Sequence, residues 1–404
     1  MGTNRRPFAR CAIPVLCFTL FFQQNAASQG AAGGIQSKDR KSADARENPR
    51  LTGGFVKRSG SRLLLDGKAF RFAGANLDNL NLASDRYSLI VSIRGKIDAY
   101  YPSKFAIDDA FETLRKMGGT VARVYSAGTQ GSPLAIEPSL GVFNERALQQ
   151  LDYVIKSAGD HGIRLDLVLV SQQDFYVGGR DVFSHWRNGA NFFEEPVVSD
   201  FEQFIHTVLT RVNSYTGVAY KDDPAIFGWE TDNEINDSPV AWEKRICSYI
   251  KKLDPNHLAI NGNDLPIAHP ESDRLAEPDA DIYVAHYYRH WKQNWNLAAD
   301  ASAVTKAGKV FMVEEFGWDS TNTTMAELRE HLAEVEANPE VAGDMFWALR
   351  AHQEPGKLFP VPGEGGEWWA LYFDGLDTGV TSAAEMHQRA LILQAHAHRM
   401  SAVR

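Results

Sequence analysis

The chain has 404 residues, 44% of them hydrophobic and 23% charged, and a formal net charge of −9. That acidic balance disfavours nucleic acid or another polyanion as a partner, whereas a neutral polymer needs no charged patch. Three cysteines in so long a chain exclude a disulfide-stapled scaffold, so stability has to come from a large apolar core.

The first residues, MGTNRRPFAR, are basic and lack acids; the apolar run CAIPVLCFTLFF follows, and then QQNAASQG, whose Ala26 and Ser28 suit signal-peptidase cleavage. Residues 1–28 therefore read as a secretory signal peptide, and an apolar run of about a dozen residues is too short to cross ~30 Å of hydrocarbon. Cleavage would remove Arg5, Arg6 and Arg10 and no acids, taking the net charge from −9 to −12, and would leave Cys247 as the one remaining cysteine. The expected location is extracellular, or periplasmic in a bacterium with an outer membrane. Residues 29–50, rich in Gly, Ala, Ser and charge without apolar periodicity, read as a disordered linker.

Folding is expected from residue 51 to 404. FVKRSGSRLLLDGKAF, with turns at Ser59-Gly60 and Asp66-Gly67, predicts a small hairpin ahead of the main fold. Beyond it, β-branched apolar runs alternate with amphipathic stretches of helical spacing. Eight strands are predicted: FRFAGAN (70–76), TVARVYS (120–126), IRLDLVLV (163–170), AIFGWETDN (225–233), HLAING (257–262), DIYVAHYY (281–288), KVFMVEEFG (309–317) and AGDMFWAL (342–349). Helices fill the gaps; one should stop at Gly118-Gly119, and another should start at Asn144 and stop at Gly162. Eight βα units predict the α/β class and a closed (β/α)8 TIM barrel with long βα loops. A doubly wound sheet would usually bring a Gly-rich phosphate turn after the first strand, and FAGANLDNL has none.

In such a barrel the functional side chains project from the C-terminal ends of the strands. Polar or aromatic groups stand there at Asn76, Arg123, Gln172, Asn233 with Glu234, His286 with Tyr288, Glu315 and Trp347. Glu234 follows the fourth strand and Glu315 closes the seventh, across the mouth from one another. Two carboxyls on one rim suit glycoside hydrolysis, in which one protonates the leaving oxygen and the other attacks or activates water. Alternation along the strand would send Glu314 to the face opposite Glu315. Glu230 reads as a buried partner for a neighbouring strand.

FGWETDNE, followed about eighty residues later by FMVEEFG, resembles clan A of the glycoside hydrolases, and the stretch NFFEEPVVSDFEQFIHTVLTRVNSYTGVAYKDDPAIFGWE is similar to the β-mannanase branch of glycoside hydrolase family 5. The resemblance runs from about Phe55 to Leu349. It implies Glu234 as acid/base and Glu315 as nucleophile of a retaining enzyme. It also implies Arg123 as the cation beside the nucleophile, Asn233 as the group that binds the sugar 2-hydroxyl, His286 and Tyr288 as the strand-six pair with the tyrosine on the nucleophile, and Trp347 as the platform under the sugar ring. Two departures stand out. The family usually continues Asn-Glu with Pro-Arg where this chain has Ile235-Asn236, and Asp232 replaces a small residue; an acid there would either act on Glu234 or point into the barrel.

The expected function is a secreted endo-β-1,4-mannanase, with an exo-β-mannosidase or a β-1,4-glucanase of the same family as the rival enzyme readings and an inactive carbohydrate-binding barrel as the rival of another class. The expected partner is a β-linked polysaccharide or oligosaccharide, with no nucleic acid, no stable membrane association and a monomeric state. No cofactor is expected. No metal is expected either: His286 and His290 are four apart on a strand, where helical ligand spacing does not apply, and no HExxH occurs. Trp186, Trp291, Trp295, Trp318, Trp368 and Trp369 fall largely in predicted loops, where they would serve as sugar platforms or loop anchors.

Overall fold

The computed structural model describes residues 51, 53–83, 99–126, 132–173, 179–264, 273–288, 296–321, 323–360 and 370–402. The predicted signal, the linker, His290 and the tryptophans at 291, 295, 368 and 369 lie outside them.

The chain starts with three short antiparallel strands, β1 (Val56–Ser59), β2 (Arg62–Leu65) and β3 (Lys68–Ala69), joined by turns at Ser59-Gly60 and Asp66-Gly67. Barrel strands and helices then alternate: β4 (Phe72–Asn76), α1 (Lys104–Lys116), β5 (Val121–Tyr125), α2 (Glu145–Asp160), β6 (Arg164–Val168), α3 (Arg180–Trp186), α4 (Val197–Leu209), β7 (Ile226–Glu230), α5 (Val240–Leu253), β8 (Leu258–Asn261), β9 (Ile282–Tyr287), α6 (Leu297–Lys306), β10 (Val310–Gly317), α7 (Met325–Ala337) and β11 (Val341–Trp347). The eight strands β4 to β11 are parallel and close into a barrel in chain order, β11 pairing with β4. All eight coincide with the predicted runs to within a few residues, since each is a buried β-branched or aromatic segment bounded by turn residues.

Local signals set the helix ends. Asn144 caps α2 as expected, its side chain accepting from Arg146 N, and Gly162 follows that helix at φ 74°. Thr324 and Glu327 form a reciprocal capping box at α7. After the barrel come β12 (Leu349–Arg350), β13 (His352–Glu354), β14 (Lys357–Leu358), β15 (Leu371–Tyr372) and the long helix α8 (Ala383–Ala402). α8 is tied down where buried Arg389 donates through Nη1 to the carbonyl of Trp318, 2.7 Å away. Trp318 is thus a fully buried loop anchor, and Trp186 is a half-buried one, edge-on to Phe183. Among the described residues, no helix is long and apolar enough to cross a membrane. Cys247 is a free, buried thiol on α5.

The barrel interior has two unlike halves. At the N-terminal ends of the strands, Phe72, Val121, Phe227, Ile282, Val310 and Met312 form an apolar plug, which Val56 and Leu63 of the hairpin cover from below. Phe72 meets Phe227 edge-on at 5.4 Å. Toward the C-terminal ends, the inward side chains become charged.

Candidate active site

Arg123, near the end of β5, is the hub of the upper half and is fully buried. Its Nε and Nη2 donate to the two oxygens of Glu230, each at 2.7 Å, the fork-to-fork geometry that a guanidinium offers a carboxylate. Nη1 donates to Glu315 Oε1 at 2.5 Å and to Asn76 Oδ1 at 3.1 Å, and Nη2 donates to Asn233 Oδ1 at 2.8 Å. The expected cation beside Glu315 is therefore present, and Glu230 is the buried partner that fixes it. The second oxygen of Glu315 accepts from the Tyr288 hydroxyl at 2.6 Å. Burial first, then the charge of Glu315, pushes the Tyr288 phenol well above its ordinary value, so it stays a donor.

Glu234 sits just past β7 with its side chain 26% exposed, the more open of the two carboxyls. Its φ is 59°, a left-handed conformation that costs a non-glycine residue energy and has to be held by its surroundings. Asp232 supplies the hold: one of its oxygens accepts from Ile235 N at 2.9 Å and the other from the Thr231 hydroxyl at 2.9 Å, closing a turn over Asn233 and Glu234. Of the two alternatives for Asp232, it points inward and staples the turn. Burial raises its pKa to about 7, against the two hydrogen bonds. Gly262 completes the support. Glu234 N donates to its carbonyl at 3.0 Å, and a Cβ at this position would lie 1.5 Å from the Asp232 carbonyl oxygen, so only glycine fits. Asn236, which stands where the family has arginine, accepts through Oδ1 from Asp264 N at 2.8 Å and so ties this turn to the end of β8.

His286, in β9, joins the two carboxyls. Its Nδ1 is 2.8 Å from Glu234 Oε1 and 3.5 Å from Glu315 Oε2, while Nε2 is 3.1 Å from Glu314 Oε2. Burial alone would lower the imidazole pKa. The charge of Glu315 and the hydrogen bonds to Glu234 and Glu314 outweigh it and raise the value to about 10. Asn233, 5% exposed, donates through Nδ2 to Ser171 Oγ at 3.2 Å and to Gln173 Oε1 at 3.0 Å. Trp347 stands at the end of β11, edge-on to Tyr125 at 6.1 Å and close to Tyr288. Asn76 donates to the Glu314 carbonyl at 3.0 Å and so braces β10 from β4.

Two expectations need correction. Glu314 does not face away from Glu315: both reach the same guanidinium, Glu314 Oε2 at 3.4 Å from Nη2. The cause is a β-bulge. Val313 pairs with Ala285 and Glu315 with His286, so β10 spends two residues where β9 spends one, and alternation is broken at the site. At the end of β6, the residue that reaches the site is Gln173 rather than Gln172. Gln173 donates through Nε2 to Glu234 Oε2 at 2.8 Å and links it to Asn233. Asp166 was not singled out from the sequence at all, although it is the one acid that interrupts the apolar run IRLDLVLV; it lies fully buried beside Glu230 and Glu314.

Among the described residues, two sets of three side chains bring ligand-type atoms within 4.8 Å of one another, Glu234–Asp264–His286 and Asp166–Glu230–Glu314. In the first, the His286 nitrogen is already bonded to Glu234; in the second, the Arg123 guanidinium holds the place a cation would take. The arrangement presents a partly exposed carboxyl, Glu234, and a second one, Glu315, held by Arg123 and Tyr288 at the same opening.

The sequence profile described as GH family 5 beta-mannosidase-like matches residues 53–327, and the chain belongs to that family. It is 35% identical to the mannan endo-1,4-beta-mannosidase 1 of Oryza sativa subsp. japonica over 51% of this chain and 48% of that protein. The chain thus matches about half the length of such curated relatives. Among solved structures, an endo-1,4-beta-mannanase from Rhizomucor miehei superposes with a TM-score of 0.67 at 25% identity, covering 86% of this chain and 99% of that one. A glycoside hydrolase family 5 mannosidase from the same organism superposes with a TM-score of 0.64 at 16% identity, covering 86% and 97%, and shows the same fold.

Proposed function

We propose that this family 5 protein is a secreted glycoside hydrolase that cleaves β-1,4-mannosidic bonds within mannan-type polysaccharides with net retention, Glu315 being the nucleophile and Glu234 the acid/base. The observation that carries the reading is the single imidazole nitrogen of His286, 2.8 Å from one carboxyl and 3.5 Å from the other. Those two oxygens are therefore less than about 6.5 Å apart, which favours the ~5–5.5 Å spacing of retaining enzymes over the wider gap that an inverting enzyme leaves for water.

In this reading Glu315 attacks the anomeric carbon while Glu234 protonates the departing glycosidic oxygen, which forms a glycosyl ester and releases the leaving sugar. Water then attacks the anomeric carbon of the ester, breaking its bond to the Glu315 oxygen, gives its proton to Glu234, and frees Glu315 as a carboxylate. Arg123 and Tyr288 hold the two oxygens of Glu315 before and after the ester exists. Asn233 Nδ2 is shared between two acceptors, and a sugar 2-hydroxyl would replace one of them. Trp347 would carry the ring. The names of the rice relative and of the Rhizomucor mannanase support mannan as the substrate and endo cleavage as the mode. The basic, then apolar, N-terminus supports export.

The test is to incubate the chain from residue 29 with mannan, glucomannan, cellulose and a nitrophenyl mannoside, sizing the products and following the anomer released first by proton NMR. Manno-oligosaccharides that appear first as the β anomer are expected. Mannose alone would replace endo with exo action, products from cellulose would replace the substrate, and no turnover at all would leave a binding barrel.

A further inference from the structure

The reaction above leaves two buried acids without a task, Asp166 in β6 and Glu314 in β10. Both are fully enclosed, and with Glu230 they bring carboxyl oxygens within 4.8 Å of one another. Glu230 is satisfied by the Arg123 fork. Among the described residues, no donor group reaches either oxygen of Asp166 or Oε1 of Glu314. An ionised carboxyl can only accept, so two carboxylates here would repel one another in a dry setting with no donor between them. One proton shared by Asp166 and Glu314 removes both faults, as in other buried carboxyl pairs. It belongs on Asp166, because Glu314 is the partner that faces the cations, with Arg123 Nη2 at 3.4 Å and His286 Nε2 at 3.1 Å. Burial first, and the charge of Glu314 next, push the Asp166 carboxyl well above its ordinary range, while Arg123 opposes them.

We propose that Asp166 and Glu314 are positioning residues for the acid/base: protonated Asp166 keeps its proton and donates a hydrogen bond to Glu314, Glu314 stays anionic against His286 Nε2, and the imidazole thereby holds a proton between its Nδ1 and Glu234. The inference rests on Glu234 being the acid/base. The proton held between His286 Nδ1 and Glu234 leaves with the glycosidic oxygen in the first half-reaction and is replaced from water in the second. Aspartate at 166 and glutamate at 314 therefore form one line with His286 and Glu234, Asp166–Glu314–His286–Glu234, running from the barrel interior to its mouth.

Other ionisable groups face this line. Arg123 and Tyr125 come from β5, Glu230 from β7, and Glu315 from β10. Asp232 follows β7, Asp264 follows β8 and Tyr288 follows β9. All but Glu314 and Asp166 have protein partners that a change at those two positions leaves in place, so Glu314→Gln isolates the anion at Nε2.

Histidine-labelled protein is titrated by NMR, the His286 signals being assigned by their loss in a His286→Asn variant, and kcat/KM on a manno-oligosaccharide is measured against pH. Folding of each variant is checked by circular dichroism and cooperative melting. In Glu314→Gln the His286 midpoint should fall by about one unit or more, and the alkaline limb of kcat/KM should move down with it. Asp166→Leu, which strips the donor and lets Glu314 take a proton of its own, should do the same. Asp166→Asn, whose amide can still donate, should restore the His286 midpoint toward that of the unsubstituted protein. A folded Glu314→Gln protein with both midpoints within about 0.2 unit of the original overturns the proposal. If Glu314→Gln does not fold, the contrast between Leu and Asn at 166 decides, and equal midpoints in those two overturn it. The NMR readout needs no turnover. Full activity of Glu234→Ala would therefore sink the acid/base reading separately, with the Asp166–Glu314 pair still judged by the His286 midpoint.

Discussion

The lower and upper halves of the barrel interior come from the same eight strands, yet one is packed with phenylalanine, valine, isoleucine and methionine and the other with Arg123, His286 and the acids Asp166, Glu230, Glu314 and Glu315. The lower half stabilises the fold by removing apolar surface from water, at roughly 25 cal/mol per Å2. The upper half contributes little of that kind. Its charges repay desolvation only while every partner is in place, which is why Arg123 is satisfied on several sides and why Asp232 and Gly262 brace the left-handed Glu234. Rigidity at the mouth is thus made from hydrogen bonds, and rigidity at the base from volume.

One substitution in each half should break this comparison apart. Glu230→Ala leaves the buried Arg123 without its fork. It should cost about 3–5 kcal/mol of stability and lower kcat/KM roughly a hundredfold, because the group that places Glu315 is no longer fixed. Phe227→Ala, in the apolar plug, should cost about 3–5 kcal/mol as well, but leave kcat/KM of the folded protein unchanged. Denaturant melts and kinetics well below the melting temperature check both; an equal loss of activity in the two variants would mean that the halves are not separable.

A smaller effect sharpens the contrast at the foot of the barrel. His396 of α8 bonds Asp344 of β11 through Nε2 and Glu336 of α7 through Nδ1, each at 2.7 Å. Burial works to lower its pKa, but Asp344 and then Glu336 outweigh burial and raise it. A raised histidine contributes stability that is complete below its ordinary 6.5 and is lost as pH rises through the folded value. Denaturant midpoints between pH 6 and 9 should therefore fall more steeply in the unsubstituted protein than in His396→Gln. Parallel curves would contradict this. His286, raised to about 10, is common to both proteins and drops out of the difference.

Much of the architecture is legible in the chain because burial on both sides of a parallel strand leaves a continuous apolar signature, and because polar residues that end such runs mark the mouth. Arg123, Glu234, His286, Tyr288, Glu315 and Trp347 were found in that way, and all converge at one end of the barrel. What strict alternation misses is the extra residue in β10: the bulge at Val313–Glu315 turns Glu314 inward, and no local residue pattern announces it. Gln173 was missed by one position for a related reason, since strand pairing ends before the turn that carries it. Asp166 lies in mid-strand rather than at a strand end, although a single acid within IRLDLVLV is itself a sign of a buried polar partner. Phe192, in the stretch HWRNGANFFEEP, packs into an aromatic cluster with Phe183, Phe201 and Trp242. Long-range pairing of that kind cannot be read from local spacing.

In the proposed reaction Glu315 forms the covalent bond while Glu234 handles the proton. Its most direct test is to treat the protein with a 2-deoxy-2-fluoro-β-mannotriosyl fluoride, which slows breakdown of the glycosyl ester, and to locate the adduct by peptide mass spectrometry. One added glycosyl mass is expected, on Glu315 within the β10 peptide. An adduct on Glu314 or Glu234, or mannan cleavage that proceeds with inversion and without any adduct, would contradict it.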